Sequence, residues 1–127
     1  MKRGDPLREA VRIQRGAVRT GFDWDNPDDL WAKLQEEIEE LKAVRGHRVR
    51  ATDELGDLLF MVVNLARHLK VDPLRALTGA NRKFRFRYGH IMKHARALPP
   101  KGSRQRLAAM ERYWQEAKRL EKARNPK

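Results

Sequence analysis

Three helix-start signals of one kind recur along the chain, and they constrain its fold more than any other feature. Asp5-Pro6, Asn26-Pro27 and Asp72-Pro73 each place a capping side chain directly before a proline. An Asp or Asn at the N-cap accepts a hydrogen bond from a free amide group of the first turn, and proline at the first helical position has no amide hydrogen to satisfy. No Val/Ile-rich alternating segment indicates a strand. The sequence therefore predicts an all-α chain.

The stop signals between these starts divide the chain into four or five helices, a number typical of a helical bundle. We expect the first helix to end at Gly21, the second to run to about residue 45 with Gly46 at its C-terminal turn, and the third to run from about 51–53 to 70. The fourth is expected to continue to about residue 98, before Pro99-Pro100. A chain of 127 residues has room for a single domain over 1–127, with a core at about 5–98 and a C-terminal helix at about 103–123.

Apolar positions at helical spacing predict which faces pack. On the third helix they form one arc, and on the last helix they form a thin stripe; Phe84 is expected in the core. The arc consists of Leu55, Leu58, Leu59, Val62, Leu65 and Ala66, and the stripe of Leu107, Met110, Trp114 and Leu120.

The composition excludes several classes of protein. The chain has no cysteine, which excludes disulfides, thiolate metal sites and thiol catalysis. Its longest apolar run, Leu58–Val63, is too short to span a bilayer, and residues 1–5 lack the apolar stretch of a secretory signal. We therefore expect a cytoplasmic protein that makes no contact with membranes.

The net charge of +12 conceals an uneven distribution. Residues 23–57 hold 11 of the 17 acidic residues and carry a charge of −6, so the rest of the chain carries +18. A uniformly basic chain would favour nucleic-acid binding. A concentrated acidic segment in a basic chain favours a cation site beside a polyanion site instead.

Five carboxylates flank the apolar stripes of the second and third predicted helices. At about 100° per residue, Glu37 falls just outside the apolar arc of the second helix, with Glu40 and Glu36 further round. Glu54 borders the apolar arc of the third helix, and Asp57 lies beyond it. Burying like charges this close together is costly, and a divalent cation with oxygen ligands, Mg²⁺ above all, would compensate. The four histidines lie outside this set, which argues against zinc there. A solvated acidic helix face is the alternative.

The same carboxylates belong to a longer pattern. Glu36-Glu37-x-x-Glu40 followed by Glu54-x-x-Asp57 has the form EExxE…ExxD, and it is accompanied by Gly21-Phe22-Asp23-Trp24 and by Ala80-Asn81-x-Lys83-Phe84-x-x-Arg87. This combination resembles the MazG-type nucleoside triphosphate pyrophosphohydrolases of the all-α NTP pyrophosphatase superfamily, and the C-terminal catalytic domain of MazG most closely. The resemblance extends over about residues 7–120.

The resemblance implies hydrolysis of a nucleoside or deoxynucleoside triphosphate to the monophosphate and pyrophosphate, with Mg²⁺ as cofactor and Mn²⁺ as a substitute. It implies a role in nucleotide-pool housecleaning and assembly as a homodimer or a dimer of dimers. The metal ligands it implies are Glu36, Glu37, Glu40, Glu54 and Asp57.

The resemblance also implies roles for individual side chains around the substrate. One carboxylate, Glu37 or Glu36, would act as general base instead of holding the metal. Lys83 and Arg87 share one helix face and would clamp phosphate oxygens and stabilise the leaving pyrophosphate. The remaining substrate-binding residues are Lys33, which would contact carboxylates or a phosphate, Trp24, which would stack on a base, and the amides Asn64 and Asn81. The alternative for Lys33 is an intrahelical ion pair with Glu36 or Glu37. The alternative for Trp24 is packing in the core, and for Asn64 it is a hydrogen-bonded position at a helix interface.

Besides a helical scaffold with a vestigial site, two other functions stay open at this point. The excess of positive charge, especially at Arg82–Arg87 and Lys101–Arg106, motivates a basic helical protein that binds nucleic acid. Against it, the sequence shows no groove-reading motif, and its aromatic content is 7%. A related dUTP or phosphoribosyl-ATP pyrophosphohydrolase would share the carboxylate pattern. The sequence leaves undecided which base and sugar are accepted and which phosphorus is attacked.

Overall fold

The computed structural model describes residues 4–124, and in that range all regular structure is helical. The elements are α1 (Pro6–Arg19), α2 (Pro27–Ala43), α3 (Arg48–His68), α4 (Pro73–Lys93) and α5 (Arg104–Arg124), with a 3-10 turn at Ala95–Ala97. The predicted all-α fold is confirmed. No helix within residues 4–124 is long and apolar enough to cross a membrane.

The chain forms two compact units, and the boundary between them lies within α4. The first unit extends to Ala76 and contains α1, α2 and α3; the second begins at Leu77 and contains most of α4 and all of α5. In the first unit, α3 packs against both α1 and α2. The single domain over 1–127 stays a prediction.

The three predicted helix starts are confirmed by their capping bonds. Asp5 Oδ1 accepts a hydrogen bond from the amide of Leu7 at 2.9 Å. Asn26 Oδ1 accepts one from Asp28 at 3.0 Å, and Asp72 Oδ1 accepts one from Leu74 at 2.9 Å. In each case proline follows the cap, so local chemistry alone sets where the helix begins.

The end of α1 also follows its sequence signal. Gly21 adopts a left-handed φ of 93°, and the amides of Gly21 and Phe22 bond back to the carbonyls of Val18 and Ala17. This Schellman turn ends the helix and sends the following Phe22-Asp23-Trp24 segment towards α3, where Asp23 is bound.

Three other predicted boundaries are wrong. Gly46 does not end α2, which stops at Ala43, where the Val44 amide bonds back to Leu41. A tight turn from Val44 to His47 then allows α3 to begin at Arg48, at least three residues earlier than expected. The fourth helix ends at Lys93 and not at residue 98, because proline at position 99 holds Leu98 extended, and the chain tightens into the 3-10 turn before it.

The buried residues differ from the predicted apolar faces. On α3 the buried side chains are Met61, Val63 and Asn64, whereas Leu55 and Leu59 are exposed. The buried face is turned from the predicted arc because α1 packs on α3 in addition to α2.

Prediction also failed for two features of the second unit. On α5 the buried residues are Ala109 and Ala117, and Leu107 is exposed. Phe84 is exposed and stacks on Tyr88 instead of entering the core. An aromatic side chain can be satisfied by ring contacts on the surface of a helix, which periodicity does not distinguish from burial.

Candidate functional site

A cluster of three carboxylates lies where α2 and α3 pack together. Glu37 comes from α2, and Glu54 and Asp57 come from α3. One carboxylate oxygen from each lies within 4.8 Å of those of the other two. Glu37 is only 6% exposed, so its carboxyl group has lost most of its contact with water. Three acidic groups this close repel one another unless a proton or a cation lies between them.

The cluster contains two oxygens with no donor. Glu37 Oε2 and Glu54 Oε2 are both buried and accept no hydrogen bond. Loss of water raises the pKa of Glu54, and the nearby charges of Glu40, Glu37 and Asp57 raise it further. A buried carboxylate oxygen without a hydrogen-bond donor is rare in proteins. A bound cation or a proton would stabilise such an oxygen. The donor set consists of carboxylate oxygens alone, which suits Mg²⁺ or Mn²⁺.

The other two predicted ligands, Glu36 and Glu40, stand at the edge of this cluster. Glu40 is exposed but near enough to Glu54 to act on its pKa. Glu36 is also exposed and pairs with Lys33, whose Nζ lies 3.3 Å from Glu36 and 3.4 Å from Glu37. Hydrogen bonds to Glu36 and then to Glu37 raise the pKa of Lys33. The intrahelical pair considered for Lys33 is therefore present.

A cavity of about 760 Å³ opens in the same compact unit. Its walls come from α1, from α3, from the segment that follows α1 and from the first turn of α2. They include Ile13, Gln14, Ala17, Phe22, Asp23, Trp24, Asp25, Asp29, Phe60, Met61, Asn64 and Arg67. Two of the predicted substrate-binding residues, Trp24 and Asn64, are thus brought to one concave surface. Apolar walls with a few polar groups are typical of sites for small molecules.

An ion-pair network fixes one wall of this cavity. The Arg67 guanidinium donates to both carboxylate oxygens of Asp23, at 3.0 and 2.8 Å, and also to Asn64 Oδ1 at 2.9 Å. His68 Nε2 lies 3.3 Å from Asp23, and the Trp24 amide donates to Asp23 at 2.7 Å. The network ties the segment that carries Trp24 to the end of α3.

Two residues of the cavity were missed by sequence reasoning. Gln14 is buried, and its Nε2 donates to the Phe60 carbonyl at 3.0 Å, which leaves Oε1 without a donor. The sequence did offer one indication of this burial. Gln14 is a polar residue at helical spacing from the apolar residues Leu7, Val11 and Val18, so it lies on the same face of α1. Asp23 is the other, and its pairing with Arg67 spans 44 residues, so no local pattern reveals it.

The remaining predicted site residues lie on α4 in the second unit. Asn81 and Lys83 are exposed. Arg87 forms a two-pronged ion pair with Glu121 of α5, at 2.6 and 3.3 Å, and its guanidinium lies over the Trp114 ring. Arg87, together with Lys83 and Lys118, holds the pKa of Glu121 below its usual range. Arg87 therefore already has a carboxylate partner within its own unit.

The Asp23 network gives a pH-dependent prediction. The Arg67 guanidinium, then the Trp24 amide, hold the pKa of Asp23 below its usual value of 3.8, although partial burial opposes them. Stability gained from an ionised Asp23 is therefore fully present above about pH 3.9 and is lost as the pH falls through the lower folded pKa. We expect Asp23→Asn to cost about 1 kcal/mol near pH 7. Urea unfolding should show the difference from wild type shrinking below about pH 3.9; a constant difference down to acid pH would contradict the assignment.

The fold and the site together define an all-α domain with a carboxylate cluster suited to a divalent cation and, in the same compact unit, a cavity that can hold a small molecule. Residues 25–92 match the family model described as the MazG nucleotide pyrophosphohydrolase domain. The chain belongs to this family.

Known relatives agree with the family match. The chain is 39% identical over 112 residues to a protein of Thermotoga maritima named nucleoside triphosphate pyrophosphohydrolase/pyrophosphatase MazG. The aligned region covers 88% of this chain and 44% of that protein. It is 40% identical over 121 residues to the nucleoside triphosphate pyrophosphohydrolase of Escherichia coli K12, over 91% of this chain and 45% of the relative. The chain thus spans less than half the length of these two relatives.

Proposed function

We propose that the chain is a Mg²⁺-dependent nucleoside triphosphate pyrophosphohydrolase. It would convert a ribo- or deoxyribonucleoside triphosphate and water to the monophosphate and pyrophosphate, as part of nucleotide-pool housecleaning. The observation that carries the proposal is the Glu37–Glu54–Asp57 cluster with its two buried oxygens that lack a donor. The family match and the printed names of the relatives support the same reaction.

The proposed cofactor is Mg²⁺, with Mn²⁺ as a substitute, because the cluster offers carboxylate oxygens and no nitrogen or sulfur donor. Glu37, Glu54 and Asp57 would hold it directly, and Glu40 and Glu36 would act at the edge of the site or through water. Bound Mg²⁺ would neutralise the triphosphate and lower the pKa of an attacking water.

As an alternative to its place as a metal ligand, Glu37 is the better placed of the two predicted general bases. It is buried, its Oε2 lacks a donor, and Lys33 holds its Oε1 from the preceding turn. Glu36 is exposed, and its carboxylate is engaged by the same lysine. A base must reach a water from a fixed position, which burial favours for Glu37.

The cavity beside the Asp23 network is the proposed nucleoside site. Its volume of about 760 Å³ lies in the range typical of small-molecule pockets. Trp24 would stack on the base, while Asn64 and the unpartnered Oε1 of Gln14 would hydrogen-bond to it or to the sugar. The proposed roles of Asn81, Lys83 and Arg87 towards the triphosphate rest on the sequence resemblance.

Stacking on Trp24 can be tested with a matched tryptophan. Loss of a base–aromatic stack costs about 1–3 kcal/mol, so we expect Trp24→Ala to raise the KM for a nucleoside triphosphate about tenfold. Trp31→Ala removes an exposed tryptophan of α2 that does not line the cavity, and it should leave the KM unchanged. Equal effects of the two variants on the KM would exclude a specific role for Trp24.

We also propose that the chain assembles as a homodimer or a dimer of dimers. Leu55, Leu59 and Val62 lie at helical spacing on one face of α3, and all three are exposed, with Ile38 of α2 also partly exposed. A contiguous apolar face of this kind is typical of a surface that another protein covers. A second copy is the proposed occupant, as the family resemblance implies.

A charge placed in this face should disrupt the assembly. Leu59 is 59% exposed, so Leu59→Asp costs the isolated chain little but would bury a charge in the proposed interface. We expect sedimentation equilibrium to give a multimer for wild type and the monomer mass for Leu59→Asp. Val49→Asp changes a residue of α3 that is 84% exposed and lies off this face, and should leave the mass unchanged. A monomeric wild type would contradict the proposal.

A substrate panel distinguishes the proposed enzyme from its relatives. We expect the chain to consume common ribo- or deoxyribonucleoside triphosphates in the presence of Mg²⁺, with the activity lost in EDTA. Turnover of dUTP alone, or of phosphoribosyl-ATP alone, would assign the chain to a related activity. No turnover of any triphosphate would contradict the proposal. The cytoplasmic location expected from the sequence stays a prediction.

A further inference from the structure

A second group of potential metal ligands lies in the other compact unit. His90 and His94 come from α4 and Glu116 comes from α5. Their ligand atoms, ring nitrogens and a carboxylate oxygen, all lie within 4.8 Å of one another. His90 Nε2 and Glu116 Oε1 lie 2.8 Å apart, within hydrogen-bond distance. The proposed hydrolysis uses none of these residues.

The backbone and the neighbouring rings hold the three side chains in place. His90 and His94 are four residues apart on one helix, so they project from the same face. The ring of His94 stacks on Tyr113 of α5, with 4.1 Å between centroids and 4° between planes. The rings of His90 and His94 meet edge to face at 5.3 Å. Ligands whose rotamers are fixed in this way lose little freedom when a metal binds.

We propose that His90, His94 and Glu116 form a site for a divalent transition metal, with Zn²⁺ as the preferred ion. Two imidazoles and one carboxylate suit Zn²⁺, Co²⁺ or Ni²⁺, whereas Mg²⁺ prefers oxygen ligands alone. The site thus differs in chemistry from the carboxylate cluster. It contributes three protein ligands and leaves the remaining position to water.

The distances fit this assignment after a small side-chain adjustment. Metal–ligand bonds of about 2.0–2.1 Å in a tetrahedral site place the ligand atoms about 3.4 Å apart. The observed separations, from 2.8 Å to at most 4.8 Å, lie on both sides of that value. The side chain of Glu116 is half exposed, so an ion can enter from solvent, while that of His90 is largely buried. The metal would displace the proton shared by His90 and Glu116 and join α4 to α5.

The test is zinc binding by the untagged full chain in a large excess of Mg²⁺, which keeps the carboxylate cluster occupied. Calorimetric titration should show one equivalent of Zn²⁺ per chain. Co²⁺ in its place should produce the visible absorption of a tetrahedral site with nitrogen ligands. His94→Gln and Glu116→Gln should each weaken zinc binding by at least about tenfold.

Two matched variants serve as controls. Glu111→Gln changes an exposed carboxylate of α5, and His47→Gln changes an exposed histidine at the start of α3; both should bind zinc like wild type. Circular dichroism of each variant checks its helicity, and Glu116→Gln removes a ligand that no ring stack needs. The proposal is overturned if wild type binds no zinc in excess Mg²⁺, or if folded His94→Gln and Glu116→Gln both bind it unchanged.

Discussion

Replacing Glu37 by glutamine is expected to lower the rate of Mg²⁺-dependent triphosphate hydrolysis by at least about a hundredfold. Glu37 supplies a buried oxygen without a donor to the cluster, and the neutral amide is a much weaker ligand for a divalent cation. Metal-based charge stabilisation contributes several kcal/mol to such reactions, and each 1.4 kcal/mol corresponds to a factor of ten in rate. Initial rates at saturating Mg²⁺ measure the effect.

The same variant should fold normally. In the absence of metal, Glu37→Gln removes one of the charges that repel Glu54, so we expect its unfolding midpoint to equal or exceed that of wild type. Mg²⁺ should raise the midpoint of wild type and leave that of the variant unchanged. Glu39→Gln is the matched control, because Glu39 is an exposed residue of the same helix that pairs with Lys42. Wild-type turnover by Glu37→Gln would contradict the assigned site.

The largest effect on stability is expected at Leu30. Leu30 is 1% exposed and is the largest fully buried side chain among residues 4–124. Leu30→Ala leaves a cavity in addition to the lost apolar burial, and such changes cost about 2–5 kcal/mol. Because Leu30 lies two turns before Glu37 on α2, the loss also weakens the helix that positions the cluster.

Chemical unfolding followed by circular dichroism measures this cost. Leu107→Ala is the matched control, since Leu107 is 73% exposed and its truncation should change stability by no more than about 0.5 kcal/mol. Equal losses at the two positions would show that Leu30 does not anchor the core of the first unit.

The three proline-marked helix starts were predictable from the sequence, whereas the start of α3 and the ends of α2 and α4 were not. Asp5, Asn26 and Asp72 cap their helices through bonds to residues two positions away, so the information is local. The stop expected at Gly46 failed because the turn at 44–47 is closed by backbone bonds that any sequence can make. The buried face of α3 was also misplaced, since it depends on which helices pack there.

The candidate site was predictable where it depends on spacing along one helix, and not where it depends on contacts between distant parts of the chain. Spacing along α2 and α3 was enough to propose the carboxylates, and the structure brings Glu37, Glu54 and Asp57 together. The Asp23–Arg67 pair is a contact between distant parts of the chain, and it was missed. Gln14 lines the cavity because its side chain is buried. Glutamine side chains are mostly exposed in proteins, so the residue type gave no reason to expect this.

Identification of the reaction products tests the central claim most directly. The full chain is incubated with Mg²⁺ and a nucleoside triphosphate, and the products are separated by chromatography. We expect nucleoside monophosphate and pyrophosphate in equal amounts, with none formed in EDTA or by Glu37→Gln. Nucleoside diphosphate with inorganic phosphate, or product formation that persists without a divalent cation, would contradict the account.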